Sequence, residues 1–219
     1  MTPATHSDNW FTKRVMKLTC FEKRFVNSPQ HARRTEQTAL ALLEHVSLPP
    51  HPRCLEVGCG QGALARLLVE RYGAQVVASD YDPAQVALAQ ERLADLGGQV
   101  EFRVVDARDM PFDDAQFDAL FSFGVLHHIP GGWRKAVAEI ARVLKPGGWF
   151  IFTDLVVTPR AARLTRRLLP RLDQLEEAAL QGCLAEHGLH LEHYAYAQGE
   201  LMAVLGLMGY CTAVARCSR

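Results

Sequence analysis

The 219-residue chain has no surplus of charge, because 24 Lys and Arg balance 24 Asp and Glu. Binding to a phosphate backbone usually shows as a basic excess, so composition gives no case for nucleic acid. Long apolar runs are also missing, and a stretch such as Val204–Met208 is far too short to span a bilayer. The first thirty residues carry Asp8, Lys13, Arg14, Lys17, Glu22, Lys23 and Arg24 without an apolar segment of signal type, so a cytoplasmic chain is expected. Cys20, Cys54, Cys59, Cys183, Cys211 and Cys217 form neither a CxxC pair nor a zinc-type double pair. They read as small buried thiols of a reducing compartment. Cys211 and Cys217 would share one face of a strand, too far apart to bond to each other. Internal repeats and low-complexity tracts are absent. At 48% hydrophobic and 22% charged, the chain suits one globular domain and is too short for two full ones.

What is present is an ordered alternation. Residues 1–50 read as a helical cap that ends at the breaker run Leu48-Pro49-Pro50-His51-Pro52, and residues 51–219 as the main domain. From Arg53 to Asp154 short apolar runs alternate with helical periodicity, the pattern of a parallel sheet. Strands are expected at Cys54–Val57, Gln75–Ser79, Glu101–Val105, Ala119–Phe123 and Trp149–Asp154, with helices at Ala63–Arg71, Pro83–Leu96 and Trp133–Leu144. The last helix meets a stop and turn at Lys145-Pro146-Gly147-Gly148. A helix near Asp173–His187 and strands at Leu189–Ala197 and Tyr210–Cys217 follow. The fold class is α/β, a doubly wound sheet with an N-terminal helical cap.

The segment Leu55-Glu56-Val57-Gly58-Cys59-Gly60-Gln61-Gly62-Ala63 runs from a buried strand through a glycine turn into a helix. Its glycines permit a tight turn and a close approach by a ligand, and the helix start offers free N–H groups. Asp80 ends the second strand, 24 residues after Glu56, and Asp106 ends the third, 26 after Asp80. All three carboxylates therefore fall on the C-terminal edge of neighbouring strands, where open α/β sheets bind ligands. An acid at Asp80 has the reach to accept both hydroxyls of a ribose. Glu56 beside the loop would repel a pyrophosphate and favour a cation. The glycines fall as GxGxG and not GxGxxG, which counts against a dinucleotide. Taken singly, either aspartate could be a helix cap or a solvated turn residue.

On these blocks the chain resembles the class I S-adenosylmethionine-dependent methyltransferases, and within them the quinone-biosynthesis branch. LEVGCGQG at 55–62, VVASDYD at 76–82, VVDARDMPF at 104–112 and FDALFSFGVLHHI at 117–129 stand in the family's order, followed by LKPGGWFIFTD at 144–154. The resemblance implies a Rossmann-like, seven-stranded mixed sheet with the last strand antiparallel. It implies S-adenosylmethionine as cofactor, with Glu56, Gly58, Cys59, Gly60, Gln61 and Gly62 around its methionine part. Asp80 would hold the ribose, Tyr81 would pack near the adenine, and Asp106 and Ala107 would meet the adenine amino group. Ser122 and Phe123 would flank the methionine end, in a triplet with Gly124 similar to that of menaquinone- and ubiquinone-type C-methyltransferases.

Methyl transfer from a sulfonium needs alignment and dryness, and a base only where the nucleophile carries a proton. His127 and His128 follow the fourth strand on the edge where the methyl group would lie, and are the candidate bases. The competing reading is that they pack the turn before the next helix. No Asn-Pro-Pro-Tyr-type tetrapeptide and no Pro-Cys nucleophile follows strand four, which argues against amide or nucleobase amino methylation and against covalent cytosine chemistry. No acid cluster for a metal-dependent catechol site can be assembled, and His187, His190 and His193 straddle a helix–strand junction where they would diverge.

Trp10, Phe11, Phe21 and Phe25 among basic residues suit a segment that packs on the sheet, covers the cofactor, or does both. His31, Arg33 and Arg34 could reach the cofactor carboxylate. Arg160, Arg163, Arg166, Arg167 and Arg171 beside Leu164, Leu168 and Leu172 form a basic stretch interrupted by Pro170, either a solvated lid or a peripheral contact with an anionic membrane. The expectation is methyl transfer to a small aromatic or apolar acceptor, with C-methylation of a quinone precursor ahead of O- or N-methylation of another metabolite. A non-catalytic cofactor-binding protein and a nicotinamide-dependent oxidoreductase are the competitors. No motif speaks to oligomeric state.

Overall fold

The computed structural model describes residues 24–129, 131–158, 162–163, 175–197 and 208–218. Helix α1 (Pro29–Leu43) starts where Ser28 Oγ accepts the His31 N–H at 3.2 Å and Pro29 fixes the first turn. It buries Ala39, Leu42 and Leu43, one face of a helix, against α2 (Ala63–Tyr72) and the sheet. The sheet has seven strands: β1 (Arg53–Val57), β2 (Gln75–Asp80), β3 (Val100–Val104), β4 (Phe117–Phe123), β5 (Leu144–Val157), β6 (Leu189–Ala197) and β7 (Met208–Cys217). Their order is β3-β2-β1-β4-β5-β7-β6, parallel through β5 and antiparallel at β7. This is the mixed, doubly wound sheet the resemblance implies.

Both faces of the central strands are buried, which is why they read as continuous apolar runs. Leu55, Val57, Leu120, Phe150 and Phe152 pack toward α4 (Trp133–Val143) and α5 (Glu177–Glu186). Cys54, Val76, Ala78, Phe121 and Ile151 pack toward α1, α2 and α3 (Pro83–Arg92). Strand order reverses between β1 and β4, so the crevice beyond their C-terminal ends lies at the switch point of the fold.

Among the expected boundaries that move, two have a clear local reason. The helix read as Pro83–Leu96 ends at Arg92 and continues as a 3-10 stretch, Ala94–Gln99, broken where Gly97 takes φ 56°. Strand β5 begins at Leu144, not Trp149, because Phe117 faces Leu144 while Ala119 faces Trp149. The Lys145–Gly148 turn is thus looped out of the ladder as a bulge, with Gly147 at φ 73° and Lys145 Nζ bound to Asp118 at 2.8 Å. Cys54, Cys59, Cys183, Cys211 and Cys217 are buried free thiols. Among the described residues no helix is long and apolar enough to cross a membrane. Trp10, Phe11, Cys20 and Phe21, the basic residues Arg160, Arg166, Arg167 and Arg171 with Leu164, Leu168, Pro170 and Leu172, the start of the helix expected from Asp173, and Val204–Leu207 lie outside the described residues.

Phe121 sits on the central strand with no exposed surface. Phe121→Ala is expected to lower stability by about 3–5 kcal/mol, read as a shift in the midpoint of urea unfolding at unchanged slope.

Candidate active site

A cleft opens at the switch point. Its walls are the glycine loop, the ends of β2 and β4, and the first turns of α1. The loop is pinned from below: Gly58 N–H and Cys59 N–H both donate to Ser79 O at 2.8 Å, so β2 holds the turn that leaves β1. Gly58 stands at φ +79°, and a Cβ there would be driven into Val125 Cγ2, so the position needs glycine twice over. At Gly60, φ +50°, a Cβ would meet nothing, so the loop is open toward the cleft.

Glu56, Gly58, Cys59, Gly60, Gln61, Asp80, Tyr81, Ala107, Phe123 and His128 line this cleft together. Asp80 is fixed there by two backbone donors, Gly60 N–H at 3.2 Å and Asp82 N–H at 2.9 Å. Burial raises its carboxyl above the ordinary range, against the pull of those donors. Glu56 is 5% exposed and its Oε2 has no hydrogen-bond partner among the described residues. Burial first, then the neighbouring Asp80, push its carboxyl up to about 8, while the Ala65 N–H opposes them. Burial also drives the Cys59 thiol upward, which disfavours the nucleophilic thiolate.

Gly62, Asp106, Ser122 and His127 are not among the lining residues. Gly62 caps α2 at φ 85°. The Asp106 carboxylate turns to Arg108 instead of the cleft, with Nη2 at 2.6 Å and the Arg108 N–H at 2.9 Å. Partial burial opposes its ionisation, yet the Arg108 hydrogen bonds hold the carboxyl below its usual range. Ser122 is buried in β4, its hydroxyl unpaired among the described residues.

His127 adjoins the lining residues His128 and Gly124, its ring 4.0 Å from that of His128 and its Cε1 3.9 Å from where a Cβ on Gly124 would sit. Its Nδ1 meets Asp154 Oδ1 at 2.6 Å. A carboxylate can only accept, so Nδ1 carries the proton and Nε2 is left as the basic nitrogen. Asp154 has no exposed surface, and it also accepts N–H groups from Leu126 and Leu155 at 2.8 Å and from Val125 and His127 at 3.2 Å.

Three features were not read from the sequence. Asp154 is the first, although its place at the end of a strand on the shared edge was a usable signal. Gln85 is the second: it lines the cleft and exchanges amide hydrogen bonds with Asn27, 3.0 Å from Asn27 Nδ2 to Gln85 Oε1. The third is Gln61 as a tie: its Nε2 donates to Val26 O at 3.3 Å and Ser28 O at 3.2 Å, and its Oε1 accepts from Arg92. Val26, His31, Ala32 and Thr35 thereby join the cleft wall. The histidines near the C-terminal strands diverge, His190 to Ser218 Oγ at 3.0 Å and His193 to a stack on His45 at 4.0 Å. Among the described residues no three His, Cys, Asp or Glu come together to hold a metal ion.

A buried carboxylate with an orphaned oxygen, an open glycine turn and a pinned aspartate suit a ligand that brings a cation and a pair of hydroxyls. A family model described as a methyltransferase domain matches residues 55–152. A ubiquinone biosynthesis O-methyltransferase of Xanthomonas axonopodis pv. citri is 36% identical, over 68% of this chain and 69% of its own length. A demethylmenaquinone methyltransferase of Thermus thermophilus is 37% identical over 50% of each chain. The structure of a geranyl diphosphate C-methyltransferase from Streptomyces coelicolor A3(2), solved with S-adenosyl-L-homocysteine, superposes with a TM-score of 0.71 at 17% identity, covering 90% of this chain and 84% of that one. For several other curated relatives the chain spans less than half of the relative's length.

The Glu56 carboxyl has a definite sign in stability. Below its ordinary value of 4.5 both folded and unfolded chains hold the proton; between 4.5 and about 8 only the folded chain does, so stability falls as pH rises and the loss is complete above about 8. Thermal unfolding of the ligand-free protein is expected to show this decline, and Glu56→Gln to flatten it by an amount on the order of a few kcal/mol. Parallel profiles for the two proteins would contradict the assignment.

Proposed function

The chain belongs to the class I S-adenosylmethionine-dependent methyltransferases, and from that premise we propose that it methylates a hydroxyl group of a small aromatic or apolar acceptor of the quinone-precursor kind. S-adenosylmethionine is the cofactor, and the cleft residues fit it. In this reading Glu56 and the glycine loop from Gly58 to Gly60 hold its amino acid end, Asp80 its ribose hydroxyls, and Tyr81 and Ala107 its adenine. Asp106, already engaged by Arg108, takes no direct part. When bound, the cofactor supplies a methyl carbon made electrophilic by a sulfonium.

The observation that carries a base-assisted transfer is the His127–Asp154 contact of 2.6 Å beside the cleft, and the hydroxyl is preferred to a ring carbon on the relative named as an O-methyltransferase. Nε2 of His127 takes the proton from the acceptor oxygen, which becomes the nucleophile; Asp154 holds the imidazole in the tautomer that leaves Nε2 basic. An aromatic carbon activated by a neighbouring phenolate would need the same base, so C-methylation shares this arrangement. The quinone-precursor class rests on the two relatives named for quinone methylation. Val125, Phe123 and Ile129 give the cleft an apolar side that suits such an acceptor and excludes water. We extend the reading to residues 1–50 as a cap on the domain 51–219, supported by Val26, His31, Ala32 and Thr35 in the cleft wall.

The test is transfer of a labelled methyl group to a panel of phenols and hydroquinones. His127→Ala is expected to lower kcat by about 10²–10⁴ with S-adenosylhomocysteine affinity unchanged. Asp154→Asn is expected to shift the pH profile as well as kcat. Full turnover in His127→Ala would end the role given to that histidine.

A further inference from the structure

We propose that cofactor exchange at this site is proton-coupled: Glu56 carries a proton while the cleft holds no cation, and gives it up when a cationic ligand arrives. The inference rests on the cofactor reading above and concerns what this chain's own carboxylates do on binding.

Two carboxylates face one cleft, and the backbone treats them unequally. On β2, Asp80 receives Gly60 N–H and Asp82 N–H, one on each oxygen. On the adjacent strand Glu56 has an oxygen that is buried and without a partner among the described residues. Its only donor is the Ala65 N–H; a buried carboxylate with one oxygen left without a donor is costly to charge, and a second negative charge nearby makes it more so. Of the two carboxyls, Glu56 is therefore the one that holds a proton. The other titratable side chains facing the cleft are Cys59 from the loop, Tyr81 after β2, His31 from α1 and His128 after β4. None is a lysine or arginine, and His31 is held toward its neutral form by burial and by Arg34. No Lys or Arg of the described wall compensates a Glu56 anion until a ligand does. The upward shift of Glu56 through burial and Asp80 agrees with this geometry.

The balance is simple. On binding, the Glu56 O–H bond breaks, its proton goes to buffer, and the carboxylate left behind pairs with the ligand cation. On product departure the same oxygen takes a proton back. Over one turnover these two events cancel, and the proton taken by His127 from the acceptor is the one released. Acid thus favours departure of the product and alkali favours capture of the cofactor.

Calorimetric titration of the full chain with S-adenosylhomocysteine, in two buffers of different ionisation enthalpy, counts the protons. Close to one proton released at about pH 7, falling toward zero near pH 9, is expected, with affinity rising nearly tenfold per pH unit below about 7.5. Glu56→Gln is expected to bind with little proton exchange and with affinity independent of pH in that window. Equal binding enthalpies in both buffers for the unaltered chain would overturn the proposal, as would proton release that persists in Glu56→Gln. Should that variant not fold, the pH dependence of the proton count in the unaltered chain decides alone. Failure of S-adenosylhomocysteine to bind at all would instead overturn the cofactor reading beneath it.

Discussion

Asp154, with no exposed surface, accepts N–H groups from Val125, Leu126, His127 and Leu155 and a ring nitrogen from His127. Parallel strands end with backbone donors that no neighbouring strand can satisfy, and a buried donor without a partner costs about 1–3 kcal/mol. At the exit from β4 this one carboxylate satisfies several of them, and so dictates the turn that carries both histidines. Remove it and the wall of the cleft formed by Gly124, Val125 and His128 loses its anchor. Asp80 performs the same task one layer over, gathering Gly60 N–H and Asp82 N–H. The groups that shape the edge of the sheet are thus the groups that equip the site.

Glu56 breaks that rule. It occupies the corresponding place at the end of β1, but one of its oxygens is buried without a partner. A sequence selected for stability alone would place an apolar residue or an amide there, as local conflicts of this kind cluster at functional sites. A proton on Glu56 relieves the conflict, and in the proposed reading a ligand cation takes over from it.

How much of this was readable beforehand follows from what local chemistry encodes. The parallel strands were visible because both faces are buried, and the glycine loop with Asp80 because strand, turn and acid recur at fixed spacing. The Asp154–His127 pair was not. It depends on β4–β5 register, in which Phe123 faces Thr153, and register is a property of two strands and not of either one. The tie of Asp106 to Arg108 was hidden for a different reason: it is a short-range pair, two residues apart, that competes for the carboxylate and leaves no spacing signal. The ties made by Gln61 and Gln85 gave no signal, since a neutral amide between glycines or on a helix is commonplace. Their partners, Val26, Asn27 and Ser28, come from a segment far away in sequence. The start of β5 was hidden because Lys145–Gly148 has the chemistry of a turn and is a turn, only one looped out within a strand.

The amide ties also bear on why the site tolerates so many acids. Val26–Ser28 is held over the cleft by Gln61 and by the Asn27–Gln85 pair, all neutral, so closing the wall adds no charge that would compensate Glu56 or Asp80. A lysine or arginine in the same places would pair with those carboxylates and occupy the position meant for the ligand. The two carboxylate arrangements then serve separate ends. Asp154 is permanently committed to a histidine and to backbone, which suits a base that must keep one orientation through every turnover. Glu56 is left uncommitted, which suits a group whose partner comes and goes. They stand on different strand pairs, β4–β5 and β1–β2, with the glycine loop and Gly124 between them. In the proposed mechanism, the proton that moves with the cofactor and the proton that leaves the acceptor therefore follow different carboxylates.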